Sequence, residues 1–457
     1  MKISISRFKS IETVEEFSFD GFTLLAGANS SGKSSLIQAL LLLKQTLESA
    51  SDDILALRGN YVYARDLPEL VYKNSQKGTT IKLEWNKNEL KDCGFNMIEK
   101  YARDGSNVTS VSMDVTFKKV DSAITVIDFN FALDGTENID FLNVHFNSSK
   151  KRYELKTNMP SIYSSIKSVS SRAKQVYVTQ CKADFINFFP IFLTSDEDGL
   201  HNRDITLLIL KEMRGVLSAY LKNIYHIGPN RISPVLDRSY SADTDLERVD
   251  SMGTNTRYIL AERKAMKIGE STLREQVNYW VQQMGLAQEV SSDKNNESKK
   301  YTTSVRVNGQ LRVDLCNTGF GNSQILPIIV QGLLAPKGSI LIVEDPEVHM
   351  HPAVQAAITD FFIAMIEEGK NVIIETHSDH IVTRIRRRVS EKPEIRERIH
   401  ICFVENTDGH SEYVNLNLDD QATFTTYPML PKGFLDSQDE WVIGTGPVDP
   451  LVKVSNR

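Results

Sequence analysis

The chain contains 457 residues, of which 41% are hydrophobic and 25% are charged, and its formal net charge at pH 7 is −6. This length exceeds the roughly 250–300 residues that a single core reaches, so we expect two or three structural units. The net negative charge argues against a protein that coats nucleic acid over its whole surface. No apolar stretch reaches the roughly 18 residues needed to span a bilayer, so we expect no membrane contact. Residues 1–8 alternate like a strand and lack the apolar block of a signal peptide, so we expect a cytoplasmic protein.

The first distinctive motif is a phosphate-binding loop, or P-loop, between a strand and a helix. Residues 27–34 read GANSSGKS and stand between the apolar runs 22–26 and 36–41. The glycines let backbone N–H groups surround a β-phosphate, and the helix adds its positive end. Lys33 should reach the β and γ oxygens, and the Ser34 hydroxyl should bind Mg²⁺. The predicted nucleotide contacts are Gly27, Asn29, Ser30, Ser31, Gly32, Lys33, Ser34 and Ser35.

The next part of the chain changes from strand patterns to helix patterns. Residues 79–147 carry several runs with an alternation of period 2, which predicts a mainly antiparallel sheet. From 148 to 284 helical patterns dominate, and 205–223 and 264–285 are the clearest candidate helices.

Strand patterns return in the last third of the chain. Residues 291–300 read as a loop, and 301–315 read as a hairpin that turns at Asn308 and Gly309. The largely apolar runs 339–343 and 371–375 fit the centre of a parallel sheet that is covered on both faces.

Two basic clusters could contact DNA or RNA. The segment 150–182 has eight basic residues against the single acid Glu154. A second cluster follows a helical pattern, where the helix dipole explains it equally well. The basic residues of the two clusters are Lys150, Lys151, Arg152, Lys156, Lys167, Arg172, Lys174 and Lys182, then Arg384, Arg386, Arg387 and Arg388.

Acidic residues and a histidine follow the two apolar strands. Glu344 and Asp345 come directly after 339–343, where the carboxyl edge of an open α/β sheet binds its ligand. By spacing, Glu344 is predicted to hold the Mg²⁺ and Asp345 to polarise the attacking water. Glu347 belongs either to the start of the next helix or to the same nucleotide site. His377 follows 371–375 and is predicted to sense the γ-phosphate.

Two further patterns concern ligands. His349 and His351 form an HxH pair without a nearby Cys or His partner, so a zinc site is not favoured. The glycine-containing loop 317–324 precedes an apolar helix and offers a second phosphate-binding surface. Such a surface would close over the nucleotide of another copy in a two-fold dimer. Its predicted contacts are Thr318, Gly319, Gly321 and Ser323.

The order of these motifs resembles the ABC-type ATPase heads of the Rad50, RecF and SMC group, and more closely the OLD/RecF-like bacterial ATPases with a short inserted lid. The similar stretches are 227–231, 319–327, 343–352, 375–380 and 430–434, the last of which looks like the C-terminal element of the DUF3696 branch. The resemblance implies an α/β head, a mixed sheet with flanking helices, and an inserted α-rich lid. It divides the chain into an N-terminal lobe (1–147), a helical lid and dimerisation domain (148–300) and a C-terminal lobe (301–457).

Within this group the chain is similar to the ATPase subunits of Septu anti-phage defence systems. That resemblance implies ATP and Mg²⁺ as cofactors, a homodimer or higher homo-oligomer, and an HNH nuclease as partner. Asp345 is one methylene shorter than the Glu or Gln of many relatives, and the signature lacks LSGGQ, so hydrolysis is expected to be slow or partner-dependent. The alternatives are a DNA-binding repair or chromosome-maintenance ATPase, and an ATP-binding scaffold that hardly hydrolyses ATP.

Overall fold

The structure is a computed structural model that describes residues 1–94, 108–135, 139–157, 177–193, 203–233, 235–241, 244–307, 309, 311–419 and 421–425. The strands are β1 (Lys2–Phe8), β2 (Ile11–Ser18), β3 (Phe22–Ala26), β4 (Thr79–Asn86), β5 (Val108–Val120), β6 (Ala123–Gly135), β7 (Ile139–Asn147), β8 (Arg152–Thr157), β9 (Tyr177–Ile186), β10 (Phe189–Leu193), β11 (Ile224–Ile227), β12 (Lys267–Ile268), β13 (Ser271–Thr272), β14 (Glu289–Lys294), β15 (Tyr301–Arg306), β16 (Arg312–Asp314), β17 (Ile340–Glu344), β18 (Asn371–Thr376), β19 (Ile399–Thr407) and β20 (His410–Leu416). The helices are α1 (Lys33–Glu48), α2 (Lys87–Leu90), α3 (Arg203–Lys222), α4 (Thr256–Glu262), α5 (Leu273–Gln283), α6 (Phe320–Leu334), α7 (Pro352–Glu367) and α8 (Asp379–Glu391).

A six-stranded sheet lies at the centre of the fold. Its order is β11-β17-β18-β3-β19-β20, and every neighbouring pair is parallel except β19 with β20. All residues of β3 and β17 are buried. Side chains alternate between two cores, since Ile340 and Ile342 enter one core and Leu341 and Val343 enter the other. The two apolar runs are therefore confirmed as central parallel strands.

A nine-stranded sheet of order β10-β9-β8-β7-β6-β5-β4-β1-β2 covers one face. Its neighbouring strands are antiparallel, which confirms the prediction for 79–147. The sheet continues through β8–β10, where helices were expected. Tyr153 and Leu155 are buried and alternate with charged neighbours, so β8 extends the ladder of β7. In its first part, the predicted lid 148–300 therefore differs in secondary structure from the expected helices.

Helix α1 lies between the two sheets, which explains why so few of its residues are exposed. Leu36, Leu40 and Leu43 belong to the core beneath the nine-stranded sheet. Even Lys44 is fully buried, and its Nζ donates to the Leu221 carbonyl at 2.9 Å and to Glu48 at 2.6 Å. The helix that carries the P-loop is thus fixed on all sides.

The predicted helix over 205–223 is confirmed as α3, whereas the helix predicted over 264–285 is shorter. It begins at Leu273, because Thr272 and Glu275 form a capping box, and β12 and β13 precede it. Instead of a loop, the segment after residue 288 begins with β14. The predicted hairpin is confirmed, since β15 pairs with β16 through Arg306 and Arg312.

The described basic residues are largely occupied by contacts within the chain. Arg384 and Arg388 both bind the carboxylate of Asp360, and Arg387 pairs with Glu391. Arg386 donates to the Ala422 carbonyl, and in the first cluster Lys151 and Lys156 pair with Asp121 and Glu154. Residues 167, 172 and 174 of that cluster, and the segment 430–434, lie outside the described residues. No described helix is long and apolar enough to cross a membrane.

The Asp360 ion pair predicts an acid-sensitive contribution to stability. Burial would raise the pKa of Asp360, but hydrogen bonds from Arg388 and Arg384 lower it below the ordinary value. The contribution is therefore present above the unfolded pKa and is lost as pH falls through the folded pKa. We expect Asp360→Asn to lower the free energy of unfolding by about 1–3 kcal/mol at pH 7, and by less below pH ~4. Urea unfolding at both pH values measures this.

The control is Asp52→Asn at an exposed position, which should change stability by less than about 0.5 kcal/mol. A loss for Asp360→Asn that is the same at both pH values would contradict the assignment.

Candidate nucleotide-binding site

Three parallel strands bring the predicted site residues to one edge of the central sheet. Strand β18 lies between β17 and β3, and its Glu375 is in register with Glu344 on one side and Leu25 on the other. The P-loop after β3, the acids after β17 and His377 after β18 therefore leave the sheet at the same edge. This is the edge at which open α/β sheets bind their ligands.

The P-loop needs glycine at two positions. Gly27 and Gly32 have φ values of 147° and 106°, a backbone region that favours glycine. A Cβ at Gly27 would lie 2.3 Å from the Val404 carbonyl oxygen, and one at Gly32 would lie 2.0 Å from Ser411 Oγ. Any side chain at either position would therefore collide with the strands that support the loop.

Neighbouring residues hold the loop in place from behind. Ser411 Oγ donates to the Ser31 carbonyl at 2.5 Å, and the Tyr413 hydroxyl donates to the Gly32 carbonyl at 2.7 Å. Ser35 is buried, and its hydroxyl lies 3.2 Å from Ser10 Oγ. Of the predicted contacts, Asn29 and Ser30 are exposed, whereas Ser31, Lys33 and Ser35 are buried. The Ser35 side chain thus packs within the protein.

Lys33 and Ser34 turn their polar atoms toward the sheet edge. Lys33 Nζ donates to the carbonyls of Gly27 and Ala28 at 3.0 and 2.9 Å. Burial lowers the pKa of Lys33, and the charge of Glu375 opposes that shift. Ser34 Oγ donates to Glu375 Oε1 at 2.7 Å. The P-loop and β18 are therefore joined at the residue predicted to bind Mg²⁺.

Glu375 is a site residue that sequence reasoning did not assign. It is 6% exposed, and its Oε2 atom accepts no hydrogen bond. Burial, followed by the charge of Glu344, raises the pKa of Glu375 to about 7. The available signal was an acid at the end of an apolar strand, directly before the Thr376–His377 motif.

Glu344 faces a different partner from the one predicted. Its Oε1 atom lies 2.5 Å from His226 Nε2, and both side chains are nearly buried. His226 Nδ1 in turn lies 3.2 Å from Ser251 Oγ. Ser34 and Glu344 were predicted to hold the metal together. In the described contacts Ser34 instead bonds Glu375, and Glu344 bonds His226.

The predicted water-activating acid lies in a strained turn. Asp345 has φ 47°, which a residue with a side chain rarely adopts, and its N–H donates to the Glu375 carbonyl at 2.9 Å. Its Oδ1 accepts no hydrogen bond and lies 4.0 Å from His377 Nε2. Burial and then the positive charge of Lys33 lower the pKa of His377. Glu347 Oε1 accepts the His377 N–H at 2.6 Å, which aligns the two segments.

The predicted signature loop begins α6. Gly319 is exposed at the helix N-cap, and a Cβ at Gly321 would lie 3.1 Å from the His349 carbonyl. Thr318 Oγ1 donates to the Leu315 carbonyl at 2.8 Å, and Ser323 is buried. Gly319 is therefore the exposed residue of the four and the best placed to meet another molecule.

The residues present fit Mg²⁺ better than zinc. In the part of the chain that the structure describes, no three His, Cys, Asp or Glu residues form a metal-binding group. His351 caps α7, its Nδ1 accepting the Ala353 N–H at 3.2 Å. Mg²⁺ takes most of its ligands from phosphate and water, and only one or two from protein oxygens. Ser34 and the unbonded oxygens of Glu375 and Asp345 supply such atoms.

The raised pKa of Glu375 predicts a pH effect in the protein free of nucleotide and Mg²⁺. Because this pKa rises from 4.5 to about 7 on folding, the folded chain holds an extra proton between those values. The free energy of unfolding therefore falls as pH rises through that window. At pH 8, Glu375→Gln should be more stable than wild type by on the order of 2 kcal/mol, and at pH 5 nearly equal to it. Urea unfolding midpoints test this; a less stable variant at pH 8 would refute it.

A family model described as an AAA ATPase domain matches residues 1–382. Three similar solved structures are SMC heads, and each match covers 91% of this chain. The first, bound to the C-terminal winged-helix domain of ScpA, has 13% identity, 98% of that chain covered and a TM-score of 0.48. The second, from Pyrococcus furiosus and bound to the C-terminal domain of ScpA, has 13% identity, 96% of that chain covered and a TM-score of 0.45, and the third, from Thermotoga maritima, has 12% identity, 98% covered and a TM-score of 0.35. No curated protein matches the chain. The topology is that of an α/β P-loop ATPase head, and the chain belongs to the AAA ATPase domain family.

Proposed function

We propose that the chain binds ATP with Mg²⁺ and hydrolyses it as an ABC-type ATPase that acts as a dimer in the cytoplasm. This proposal rests on one observation: Lys33 and Ser34 lie beside three acids at one edge of the sheet. The acids are Glu344, Asp345 and Glu375. A loop that only capped a helix would have no need of buried carboxylates beside it. Their charges are destabilising unless a cation or a proton offsets them.

In this proposal each residue has a distinct task. Lys33 leaves the loop carbonyls and binds the β and γ oxygens. Mg²⁺ would be held by Ser34 and Glu375, which are already bonded to each other, and Glu344 would join them only after leaving His226. When bound, the cation neutralises charge on the β- and γ-phosphates. Asp345 accepts a proton from the attacking water.

His377 serves as a neutral hydrogen-bond donor to the γ-phosphate. Its lowered pKa keeps the ring uncharged at neutral pH, so that it donates one N–H. The Glu347 carboxylate fixes the backbone of His377. Loss of the γ-phosphate would remove the acceptor, which makes this histidine the sensor of the nucleotide state.

The signature loop completes the site of a second copy. Gly319 lies exposed at the start of the 15-residue helix α6, whose N–H groups favour a phosphate. A two-fold dimer would place each loop over the other chain's nucleotide and make two shared sites. Higher homo-oligomers would be built from such dimers.

Two substitutions separate binding from turnover. Lys33→Ala should abolish ATP binding, a loss of about 100-fold or more in affinity, because a charge-assisted contact with phosphate is removed. Asp345→Ala should bind ATP normally, turn over about 100-fold more slowly, and accumulate as a closed dimer. Fluorescent-nucleotide titration, phosphate release and sedimentation measure the three quantities. Normal turnover by the Asp345 variant would refute its role.

The resemblance to Septu ATPase subunits leads us to propose control of an HNH nuclease in anti-phage defence. The expected result is that an HNH nuclease encoded beside this gene co-purifies with the tagged chain and that Lys33→Ala alters its DNA cleavage. A neighbouring HNH nuclease that neither binds the chain nor responds to this variant would exclude that role while leaving the ATPase proposal intact.

Two alternatives remain distinguishable by experiment. A DNA-gating ATPase would bind DNA with a strong dependence on salt and ATP. The internal pairing of Arg384, Arg387 and Arg388 gives it little support from that cluster. A scaffold that binds ATP without hydrolysing it is favoured by the short acid Asp345, and steady-state hydrolysis with and without the partner tests it.

A further inference from the structure

A buried arginine donates hydrogen bonds to the backbone of Glu344 and Asp345, which we call the acidic turn. Arg231 is 6% exposed and lies in the loop after β11. Its Nη1 donates to the Glu344 carbonyl at 2.9 Å, and its Nη2 donates to the Asp345 carbonyl at 2.6 Å. One guanidinium thus bridges the two successive peptide groups on either side of the Asp345 Cα.

The loop that carries Arg231 is itself anchored. Nη1 of Arg231 also donates to the Gly228 carbonyl at 2.9 Å, which closes the loop on itself. The Gly228 N–H donates to the Ser251 carbonyl at 2.8 Å, and the Ile232 N–H donates to the Met252 carbonyl at 2.9 Å. The guanidinium therefore acts from a fixed support.

The turn needs such a support because its conformation is unfavourable. Asp345 at φ 47° costs on the order of 1–3 kcal/mol unless its surroundings hold it. The Asp345 N–H is held by the Glu375 carbonyl and its own carbonyl by Arg231, so both peptide groups around its Cα are fixed. These two bonds decide in which direction the Asp345 carboxylate leaves the backbone.

A second constraint is electrostatic. Three acids face the guanidinium, namely Asp345, Glu347 and Glu344, and burial lowers the pKa of Arg231 to about 10. The group thus remains charged at neutral pH and sits behind the acids rather than in front of them, since it bonds their carbonyl oxygens. It can lower the cost of their negative charge without occupying the carboxylates.

We propose that Arg231 is a positioning residue that aims the Asp345 carboxylate at the nucleotide by holding the turn between Glu344 and Asp345. This inference rests on the proposed ATPase function. A lysine would keep the charge but would replace the planar fork with a single ammonium group, which cannot span two carbonyls in the same way. The proposal therefore concerns geometry and not charge alone.

The chain offers a matched control in Arg257. This arginine is also buried, at 8% exposed, and also bonds only main-chain carbonyls in the described contacts, those of Val235, Leu236 and Tyr301. It lies on α4, whereas Arg231 bonds the acidic turn. Arg257→Lys should therefore cause a similar loss of stability, because a buried guanidinium is replaced by an ammonium group, without disturbing Glu344 and Asp345.

The experiment compares Arg231→Lys with Arg257→Lys in the full chain. We expect Arg231→Lys to lower kcat by about 10- to 100-fold, because small misplacements of reacting groups are costly. Its affinity for a fluorescent ATP analogue should stay within about threefold of wild type, since the P-loop is untouched. Arg257→Lys should keep kcat within about twofold of wild type.

A readout independent of turnover separates this inference from the proposed function. Hydrogen exchange of peptides covering 340–350 should be faster in Arg231→Lys and unchanged in Arg257→Lys. Wild-type kcat in Arg231→Lys, unchanged exchange there, or equal losses of kcat in both variants would overturn the inference. If the wild type hydrolyses no ATP, the function proposal fails, and the exchange data still decide whether Arg231 holds the turn.

Discussion

The site depends on the parallel register of β17, β18 and β3. Hydrogen bonding between parallel strands fixes Glu344 beside Glu375 and Glu375 beside Leu25, two residues before Gly27 of the P-loop. A shift of one residue in β18 would turn the Glu375 side chain to the opposite face and break its bond to Ser34. Because both faces of the sheet are packed, such a shift would also move Val372, Ile373 and Ile374 into the opposite cores, where they would not fit the packing. The core thereby fixes the relative positions of the polar groups.

The same arrangement stores unfavourable electrostatic energy at the sheet edge. Glu375 and Asp345 both have pKa values raised by burial, and Lys33 has a pKa lowered by burial. Asp345 also has a strained backbone. These features cost stability in the folded chain, and the surrounding core and the bonds from Arg231 and Ser411 offset that cost. Polar groups held in this way need little reorganisation when a charged ligand arrives.

The sequence allowed prediction of those parts of the fold that depend on local patterns. The P-loop, the apolar strands 339–343 and 371–375, and the helix over 205–223 have strong periodicity or fixed spacing, and their elements are found. Strands β8–β10 were missed although β7 with β8 and β9 with β10 form tight hairpins, because β8 and β10 are only 6 and 5 residues long and carry little periodicity of their own. The partners of Glu344 were also missed, since His226 lies 118 residues away and only the sheet topology brings it close. Glu375 was within the quoted motif but needed the register to reveal its role.

The central claim is that Lys33, Ser34 and the acids of one chain, with the loop 317–324 of a second chain, enclose a single ATP. The most direct measurement is a structure of the protein with Mg²⁺ and a non-hydrolysable ATP analogue. The account predicts the β-phosphate within residues 27–34, the cation against Ser34, and the second chain's Gly319 and Gly321 beside the γ-phosphate. A nucleotide bound elsewhere, or bound in the P-loop with no second chain near its γ-phosphate, would contradict it.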